Sequence, residues 1–399
     1  MFKAFLLVVW QAVQGRRFSI PLSRQVVPVK VNGHTVSHKT AYYGSIFVGR
    51  PKPQNFTVVF DTGSGHLFLP DASCEDQVCQ KHARYDRRLS ASAEEINGDG
   101  SPAANEHDVV SISYGIGEVV GDFVRDVVCL GEASEASESH CTTTRVILAR
   151  HLTPEPFQQF HFDGVLGLGL SALALNQEFH LFSQLAGDMD PSFGVFLSRP
   201  GQPGSEVTFG GQDLRRTQGP MAWVPVSLKP QGYWGVHVKA VRAGKKLLPI
   251  CEDGGCHAIV DTGTSLLGVP REGMASILAA TARKTSSQDC QGEVRPSLSF
   301  ELADGAVVEL EAKDFWRATP TTVKSSAGKE LSLCRALLLP VEMASIAPKF
   351  DSRNWVNSVE EKVFLFGEPV LHKYYTAFDA RSFQVGFAPA RHGSNEVVV

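Results

Sequence analysis

The segment Val58-Val59-Phe60-Asp61-Thr62-Gly63-Ser64 decides the fold, because it returns 200 positions later as Ala258-Ile259-Val260-Asp261-Thr262-Gly263-Thr264. The likeness extends past the motif, since each Asp is followed by a Leu after six residues and by a Pro after nine. One Asp-Thr-Gly is expected by chance at about 0.1 per chain of this size. Two copies with matching flanks therefore indicate an internal duplication, and they predict two halves of related structure.

The two repeated acids, Asp61 and Asp261, are the candidate catalytic residues. An apolar strand that ends in an Asp holds the carboxyl in a desolvated position, where its proton affinity rises. If a pseudo-twofold axis relates the halves, the two carboxyls meet at that axis and share one proton. Such a pair can hold a water, with one carboxylate acting as general base while the protonated partner polarises a carbonyl.

The residues that follow each Asp are expected to support the pair. They are Thr62, Gly63, Ser64, Thr262, Gly263 and Thr264. The glycines permit a tight turn and leave room for the main chain of a ligand. We expect the hydroxyls of Ser64 and Thr264 to hydrogen-bond the outer carboxylate oxygens, and the two threonines beside the acids to point inward as structural hydroxyls. The competing interpretation is an ordinary β-turn Asp before Gly, which the duplication disfavours.

The composition of the 399-residue chain is that of a globular protein, with 43% hydrophobic and 20% charged residues. Most segments alternate apolar and polar residues over a few positions and end at Gly, Pro, Asn or Asp, which is typical of short strands. We therefore expect an all-β, or at least mainly β, protein. The net charge is -4 and no basic cluster is present, which argues against nucleic-acid binding.

The N-terminus carries an apolar stretch over residues 4–13, preceded by Lys3 and followed by small residues up to Gly15. This pattern predicts a secretory signal peptide at residues 1–15. The alternative is a short buried N-terminal helix or strand. The stretch is too short to span a bilayer, so we expect no membrane anchor.

The eight cysteines fall into local pairs along the chain. The pairs are Cys74 with Cys79, Cys129 with Cys141, Cys251 with Cys256, and Cys290 with Cys334. None has the spacing of a zinc ribbon or a redox motif, so disulfides formed in an oxidising compartment are the simpler account. Free thiols in a cytosolic protein are the alternative. No His pair with metal-ligand spacing lies beside the Asp motifs, and we expect no metal.

Further segments, together with the two Asp loops, resemble the pepsin-like aspartic endopeptidases from about Tyr42 to Pro389. They are Ser113-Tyr114-Gly115-Ile116-Gly117, Phe162-Asp163-Gly164-Val165-Leu166-Gly167-Leu168-Gly169, Gly232-Tyr233-Trp234, Val363-Phe364-Leu365-Phe366-Gly367 and Tyr374-Tyr375-Thr376-Ala377-Phe378-Asp379. The first is similar to the flap hairpin that closes over bound peptide. The second and fourth are similar to the loops that support the two acids.

The resemblance implies a bilobal pepsin-like fold with a cleft between two lobes, an extended peptide or protein substrate, no cofactor and no metal. It implies substrate contacts from the flap residues Tyr114, Gly115, Ile116 and Gly117, and from Phe68 and Ser265. We expect a monomer in the secretory pathway, either secreted or lysosomal or vacuolar. The predicted divisions are a pro-like segment at 16–40, an N-terminal lobe at 41–218, a C-terminal lobe at 219–390 and a tail at 391–399.

Several positions depart from the family pattern. Phe68 stands where many members have Trp, His66 where Asn is usual, and Glu368 where Asp is common. The segment at 16–40 is shorter than the inhibitory segment of most zymogens. These departures keep open a catalytically silent member that binds peptide or protein in its cleft. A glycosidase with two carboxylates is a weaker alternative, because its pair needs no duplicated Asp-Thr-Gly frame.

Overall fold

The computed structural model describes residues 17–31, 34–103, 107–114, 117–131, 140–185, 189–287, 289–290, 296–317, 319–324, 328, 330–342 and 362–393. The predicted signal peptide at 1–15 and most of the predicted tail lie outside the described residues. Among those described, no helix is long and apolar enough to cross a membrane.

The described chain is mainly β, as the alternating sequence pattern predicts. In chain order, the first strands are β1 (Phe18–Pro21), β2 (Ser23–Val31), β3 (His34–Val48), β4 (Gln54–Asp61), β5 (Leu67–Pro70), β6 (Glu94–Ile96), β7 (Val110–Tyr114), β8 (Gly117–Leu130), β9 (Cys141–Leu152), β10 (Gly164–Gly167), β11 (Ser192–Phe196), β12 (Glu206–Phe209) and β13 (Ala222–Pro225). The later strands are β14 (Gly235–Ala243), β15 (Lys246–Leu248), β16 (Cys256–Val260), β17 (Leu267–Pro270), β18 (Arg283–Lys284), β19 (Leu298–Leu302), β20 (Val307–Leu310), β21 (Thr321–Lys324), β22 (Glu330–Cys334), β23 (Leu338–Val341), β24 (Lys362–Phe366), β25 (Tyr374–Asp379) and β26 (Gln384–Pro389).

The helices are short and peripheral. They are α1 (Pro154–Phe157), α2 (Leu181–Leu185), α3 (Arg271–Thr281), α4 (Ala312–Phe315) and α5 (Glu368–Lys373). The longest, α3, begins directly after Pro270 and buries Gly273, Ile277 and Thr281. Their spacing of four residues places them on one face of the helix, which packs against the sheet.

Each half of the chain builds its own sheet, and a third sheet joins the halves. The first half forms a nine-stranded sheet in the order β2-β3-β4-β10-β5-β9-β8-β6, with β7 paired to β8. The second half forms an eight-stranded sheet in the order β20-β19-β14-β16-β24-β17-β23, with β15 paired to β14, and a three-stranded sheet β18-β22-β21. The joining sheet has the order β1-β12-β11-β25-β26-β13 and takes strands from both halves. This is the two-lobed architecture that the duplication predicts.

The core is continuous across the junction of the halves. Phe193 of β11 stacks on Phe378 of β25 with ring centroids 4.6 Å apart. Trp234 is fully buried against both rings, and its Nε1 donates to the carbonyl oxygen of Leu168 at 2.7 Å. Leu168 belongs to the segment that lies next to the Asp61 loop. This bond therefore fixes a second-half side chain to the first half of the site.

Candidate active site

The two acids leave equivalent strands at the centre of the molecule. Asp61 is the last residue of β4 and pairs in parallel with Gly167 of β10. Asp261 follows Val260 at the end of β16, which pairs in parallel with Phe366 of β24. The main chain is anchored on both sides, since Leu168 N donates to Asp61 O at 2.7 Å and Asp261 N donates to Phe366 O at 3.2 Å. The two similar loops are therefore held by the two segments predicted to support them.

Thr62 and Thr262 lock the two loops together. Thr62 N donates to Thr262 Oγ1 at 2.9 Å, and Thr262 N donates to Thr62 Oγ1 at 3.0 Å. Each hydroxyl then donates across the axis, to Val260 O at 2.7 Å and to Phe60 O at 2.6 Å. These inward hydroxyls match the prediction, and the reciprocal bonds give the site its pseudo-twofold symmetry.

The glycines of the motifs let each carboxyl approach the opposite loop. A Cβ on Gly63 would lie 2.9 Å from Asp261 Oδ1, and a Cβ on Gly263 would lie 2.6 Å from Asp61 Oδ1. Each glycine also donates its amide to the acid of its own loop, at 2.9 Å for Asp61 and 2.8 Å for Asp261. Any larger residue at either glycine would push the carboxyls apart.

The surroundings of Asp61 favour its protonated form. Burial raises the pKa of Asp61 well above its ordinary value, and the neighbouring charge of Asp261 raises it further. Ser64 and the Gly63 amide oppose this shift. However, the buried Ser64 hydroxyl makes no bond of full hydrogen-bond geometry with any described residue. Ser64 therefore acts on Asp61 through an interaction weaker than a hydrogen bond of full geometry.

Asp261 has a hydroxyl donor of full hydrogen-bond geometry. Thr264 Oγ1 donates to Asp261 Oδ2 at 2.5 Å, as the motif predicts. A hydrogen bond of this kind favours the ionised carboxylate. The two acids thus have different surroundings despite their similar sequences.

Tyr114, predicted to be the flap residue, lies in an aromatic cluster. Its ring centroid is 5.1 Å from that of Phe68 and 6.5 Å from that of Phe157. The Tyr114 hydroxyl is buried and has no hydrogen-bond partner among the described residues. Burial raises its pKa, and the charge of Asp61 adds to the shift. Gly117 pairs with Tyr114 across the hairpin, whereas Gly115 and Ile116 fall outside the described residues.

His66, which stands where Asn is usual in the family, lies next to the Asp61 loop. It is buried, and its Nε2 accepts a hydrogen bond from Leu175 N at 2.8 Å. Burial, and after it the charge of His180, lowers the pKa of His66 to about 4. His66 therefore has a structural position below the first loop.

Two residues singled out from the sequence, Ser265 and Glu368, bond to residues near the N-terminus. Ser265, predicted to contact substrate, exchanges two hydrogen bonds with the main chain of Thr40, at 2.8 and 2.9 Å. Glu368 accepts from Arg24 and from the Tyr42 hydroxyl, both at 3.0 Å. Both sets of contacts lead to the N-terminal segment.

Tyr233 is a site residue that sequence reasoning did not identify. It is buried, and its pKa is raised by that burial and then by the charges of Asp261 and Asp61. Its phenol therefore lies near both acids. The sequence signal for Tyr233 was its position between Gly232 and Trp234, in one of the segments that resemble the family. The direction of its side chain, however, depends on tertiary structure.

The eight cysteines form the four disulfides that the spacing predicts. They are Cys74–Cys79, Cys129–Cys141, Cys251–Cys256 and Cys290–Cys334. Within the described part of the chain, Cys74, Asp76 and Cys79 are the one group of three metal-ligand types. Its two sulfurs are bonded to each other, so they are not available as thiolate ligands.

Comparison with known proteins agrees with this geometry. The family model for eukaryotic aspartyl protease matches residues 41–390. The chain is 30% identical to pepsin A of Canis lupus familiaris over 352 residues, which is 87% of this chain and 81% of that protein. It is 30% identical to chymosin of Camelus dromedarius and 29% identical to gastricsin of Homo sapiens, each over 88% of this chain and 81% of the relative. The resemblance seen in the motifs is confirmed: this chain belongs to the eukaryotic aspartyl protease family.

Proposed function

We propose that the protein is an aspartic endopeptidase that cleaves peptide bonds with a water held between Asp61 and Asp261. The observation that carries this proposal is the reciprocal bonding of Thr62 and Thr262, which holds the two acids face to face. Paired carboxyls in different surroundings can divide the acid and base roles.

The asymmetry of the pair assigns those roles. Asp61, whose raised pKa favours the protonated form, donates a hydrogen bond to the scissile carbonyl oxygen. Asp261, which accepts a hydrogen bond from Thr264, takes a proton from the water as that water attacks the carbonyl carbon. Asp261 then gives the proton it took from the water to the leaving nitrogen as the C–N bond breaks, and the oxyanion re-forms the carbonyl of the new carboxylic acid. Asp61 keeps its proton throughout and Asp261 is again a carboxylate, so the pair returns to its starting state.

An extended peptide fits beneath the Tyr114 hairpin. The rings of Phe68, Tyr114 and Phe157 form an apolar cluster beside Asp61, which favours an apolar side chain of the substrate next to the cleaved bond. The four disulfides support residence in an oxidising compartment such as the secretory pathway. We propose that the enzyme acts as a monomer, because both catalytic loops belong to one chain.

Hydrolysis of denatured globin at acidic pH tests the proposal. We expect cleavage that is blocked by a peptide inhibitor that mimics the tetrahedral intermediate, with Asp61→Asn as the inactive control. A folded protein that binds the inhibitor but leaves globin intact would instead be a silent member that binds peptide. A protein that does neither, yet hydrolyses a glycoside, would support the glycosidase alternative.

A further inference from the structure

The N-terminal segment at residues 17–31 and 34–40, here called the brace, is built into the fold. β1 pairs with β12 over four residues of the joining sheet, from Phe18 with Phe209 to Pro21 with Glu206. β2 pairs with β3 from Ser23 with Tyr43 to the end of the hairpin. Ile20 is 1% exposed. Removal of the brace would take this side chain out of the apolar core and leave the edge of β12 unpaired.

Two neighbouring residues of the brace reach opposite halves of the molecule. Arg24 Nη2 donates to Glu368 Oε1 of the second half at 3.0 Å. Gln25 Nε2 donates to Gln159 O of the first half at 3.1 Å, and Gln25 Oε1 accepts from His161 N at 2.7 Å. Consecutive side chains of a strand point to opposite faces, so one short strand can hold both halves.

The contacts of the brace end at the loop that carries Asp261. Ser265, which is bonded twice to Thr40, directly follows Thr264, the donor to Asp261. Glu368, the acceptor of Arg24, donates its own amide to Thr264 O at 2.9 Å. Thr264 is therefore fixed from two sides by residues that the brace holds.

The brace places no cation on the paired acids. Its Lys and Arg residues are Arg17, Arg24, Lys30 and Lys39. Lys39 pairs with Glu155 at 3.2 Å, and Lys30 is exposed. Among the described contacts, none joins a brace cation to Asp61 or Asp261. The brace thus lacks the ionic contact by which a segment could neutralise the pair.

We propose that the brace is a permanent part of the working enzyme, which positions Thr264 and so Asp261, and not a removable inhibitory segment. This inference rests on the proposed endopeptidase function. It makes Arg24, Thr40, Ser265 and Glu368 positioning residues, since they act on the acid only through Thr264.

The first test asks which chain is active. The secreted protein is captured on an immobilised peptide inhibitor that mimics the tetrahedral intermediate, and the retained chain is sized by mass spectrometry under denaturing conditions. We expect an active chain that still contains Arg24 and cleaves globin without a lag after acidification. An active chain that begins after Arg24 would overturn the proposal that the brace is permanent and leave the proposed function standing. A protein that neither binds the inhibitor nor cleaves globin would remove the proposed function, and the brace with it.

The second test measures positioning. Arg24→Met and Ser265→Ala are each expected to lower kcat about three- to tenfold with KM within about twofold, and Ser265→Thr to restore most of kcat. Arg216→Met is the matched control, because its pair with Glu206 has similar exposure but lies away from the Asp261 loop. It should keep the wild-type kcat.

If Arg24→Met does not fold, the Ser265 variants decide. A raised KM with unchanged kcat in Ser265→Ala would make Ser265 a direct substrate contact and overturn its positioning role. An unchanged kcat in both Arg24→Met and Ser265→Ala would overturn the positioning role proposed for the brace.

Discussion

The loops around Asp61 and Asp261 are nearly the same in sequence but differ in their surroundings. In the second loop, Thr264 donates a 2.5 Å hydrogen bond to the acid. In the first, the Ser64 hydroxyl is buried without a bond of full geometry to any described residue, and burial raises the pKa of Asp61. The duplication thus makes the two loops similar in sequence and main-chain geometry. The Thr264 hydrogen bond makes the surroundings of the two acids different.

The difference between Ser and Thr explains part of this asymmetry. The branched Cβ of Thr264 restricts its χ1 rotamer, so its hydroxyl has few directions in which to point. The Ser64 side chain rotates more freely and gains less from facing the acid. A fold built by duplication can therefore give two equivalent acids different hydrogen-bond geometry with a single methyl group of difference.

The largest expected effect comes from removing either member of the pair. Asp61→Asn and Asp261→Asn should each lower kcat about a thousandfold, because the mechanism needs one carboxylate and one carboxylic acid. Steady-state hydrolysis of a peptide measures this loss, with melting temperature as the control for folding. More than a few percent of activity in either folded variant would exclude the assigned pair.

The next effect tests the asymmetry of the two hydroxyls. Thr264→Ala should lower kcat about tenfold, because it removes a charge-assisted hydrogen bond to Asp261. Ser64→Ala should stay within about twofold, because the hydroxyl that it removes makes no full bond. Each variant is the matched control for the other. Equal losses would mean that the two loops are equivalent after all.

A smaller effect is expected at the flap. Phe68→Trp introduces an indole N–H next to the unpartnered Tyr114 hydroxyl and should raise kcat/KM a few-fold, about the value of one hydrogen bond. The gain should vanish in the Phe68→Trp, Tyr114→Phe double variant, so a double-mutant cycle measures the contact. Additive effects would show that no bond forms between these positions. Because Phe68 is fully buried, melting temperatures are recorded to separate any cost of the larger ring.

The smallest effect concerns stability and pH. The pKa of Asp61 is raised in the folded state, so folding binds its proton more tightly, and this stabilising contribution is lost as pH rises from about 4 to neutrality. Asn mimics the protonated acid. Asp61→Asn should therefore raise the melting temperature by about 1–3 °C at pH 7 and leave it unchanged at pH 3. Scanning calorimetry at both values measures the difference, and an equal shift at both pH values would contradict the raised pKa.

The sequence predicted the parts of the site that are contiguous in the chain. Asp61, Asp261 and the inward threonines follow from one repeated motif, because local strand-to-turn geometry decides where these groups point. Tyr233 was not identified, since only the packing of the second half turns its phenol toward the acids. The weak geometry of the Ser64 interaction with Asp61 could not be predicted, because the motif gives a hydroxyl but not its rotamer.

The structure and contacts of the brace are the features that the sequence predicted least well. Pro28 argues against a strand, but β2 forms the edge of the nine-stranded sheet, where a residue without an N–H is tolerated. Its links to Glu368 and Ser265 join residues more than two hundred positions apart. No local pattern records such a contact.

The joining sheet has a consequence for the order in which the chain folds. β11 lies between β12, its neighbour in sequence, and β25, which is made much later in the chain. The first half can therefore pair its early strands while it is still on the ribosome, but it keeps one edge of β11 open until β25 emerges. Such long-range pairing is slow and exposes strand edges in the meantime. We expect this protein to depend on chaperones during its biosynthesis more than a chain whose halves fold as separate units.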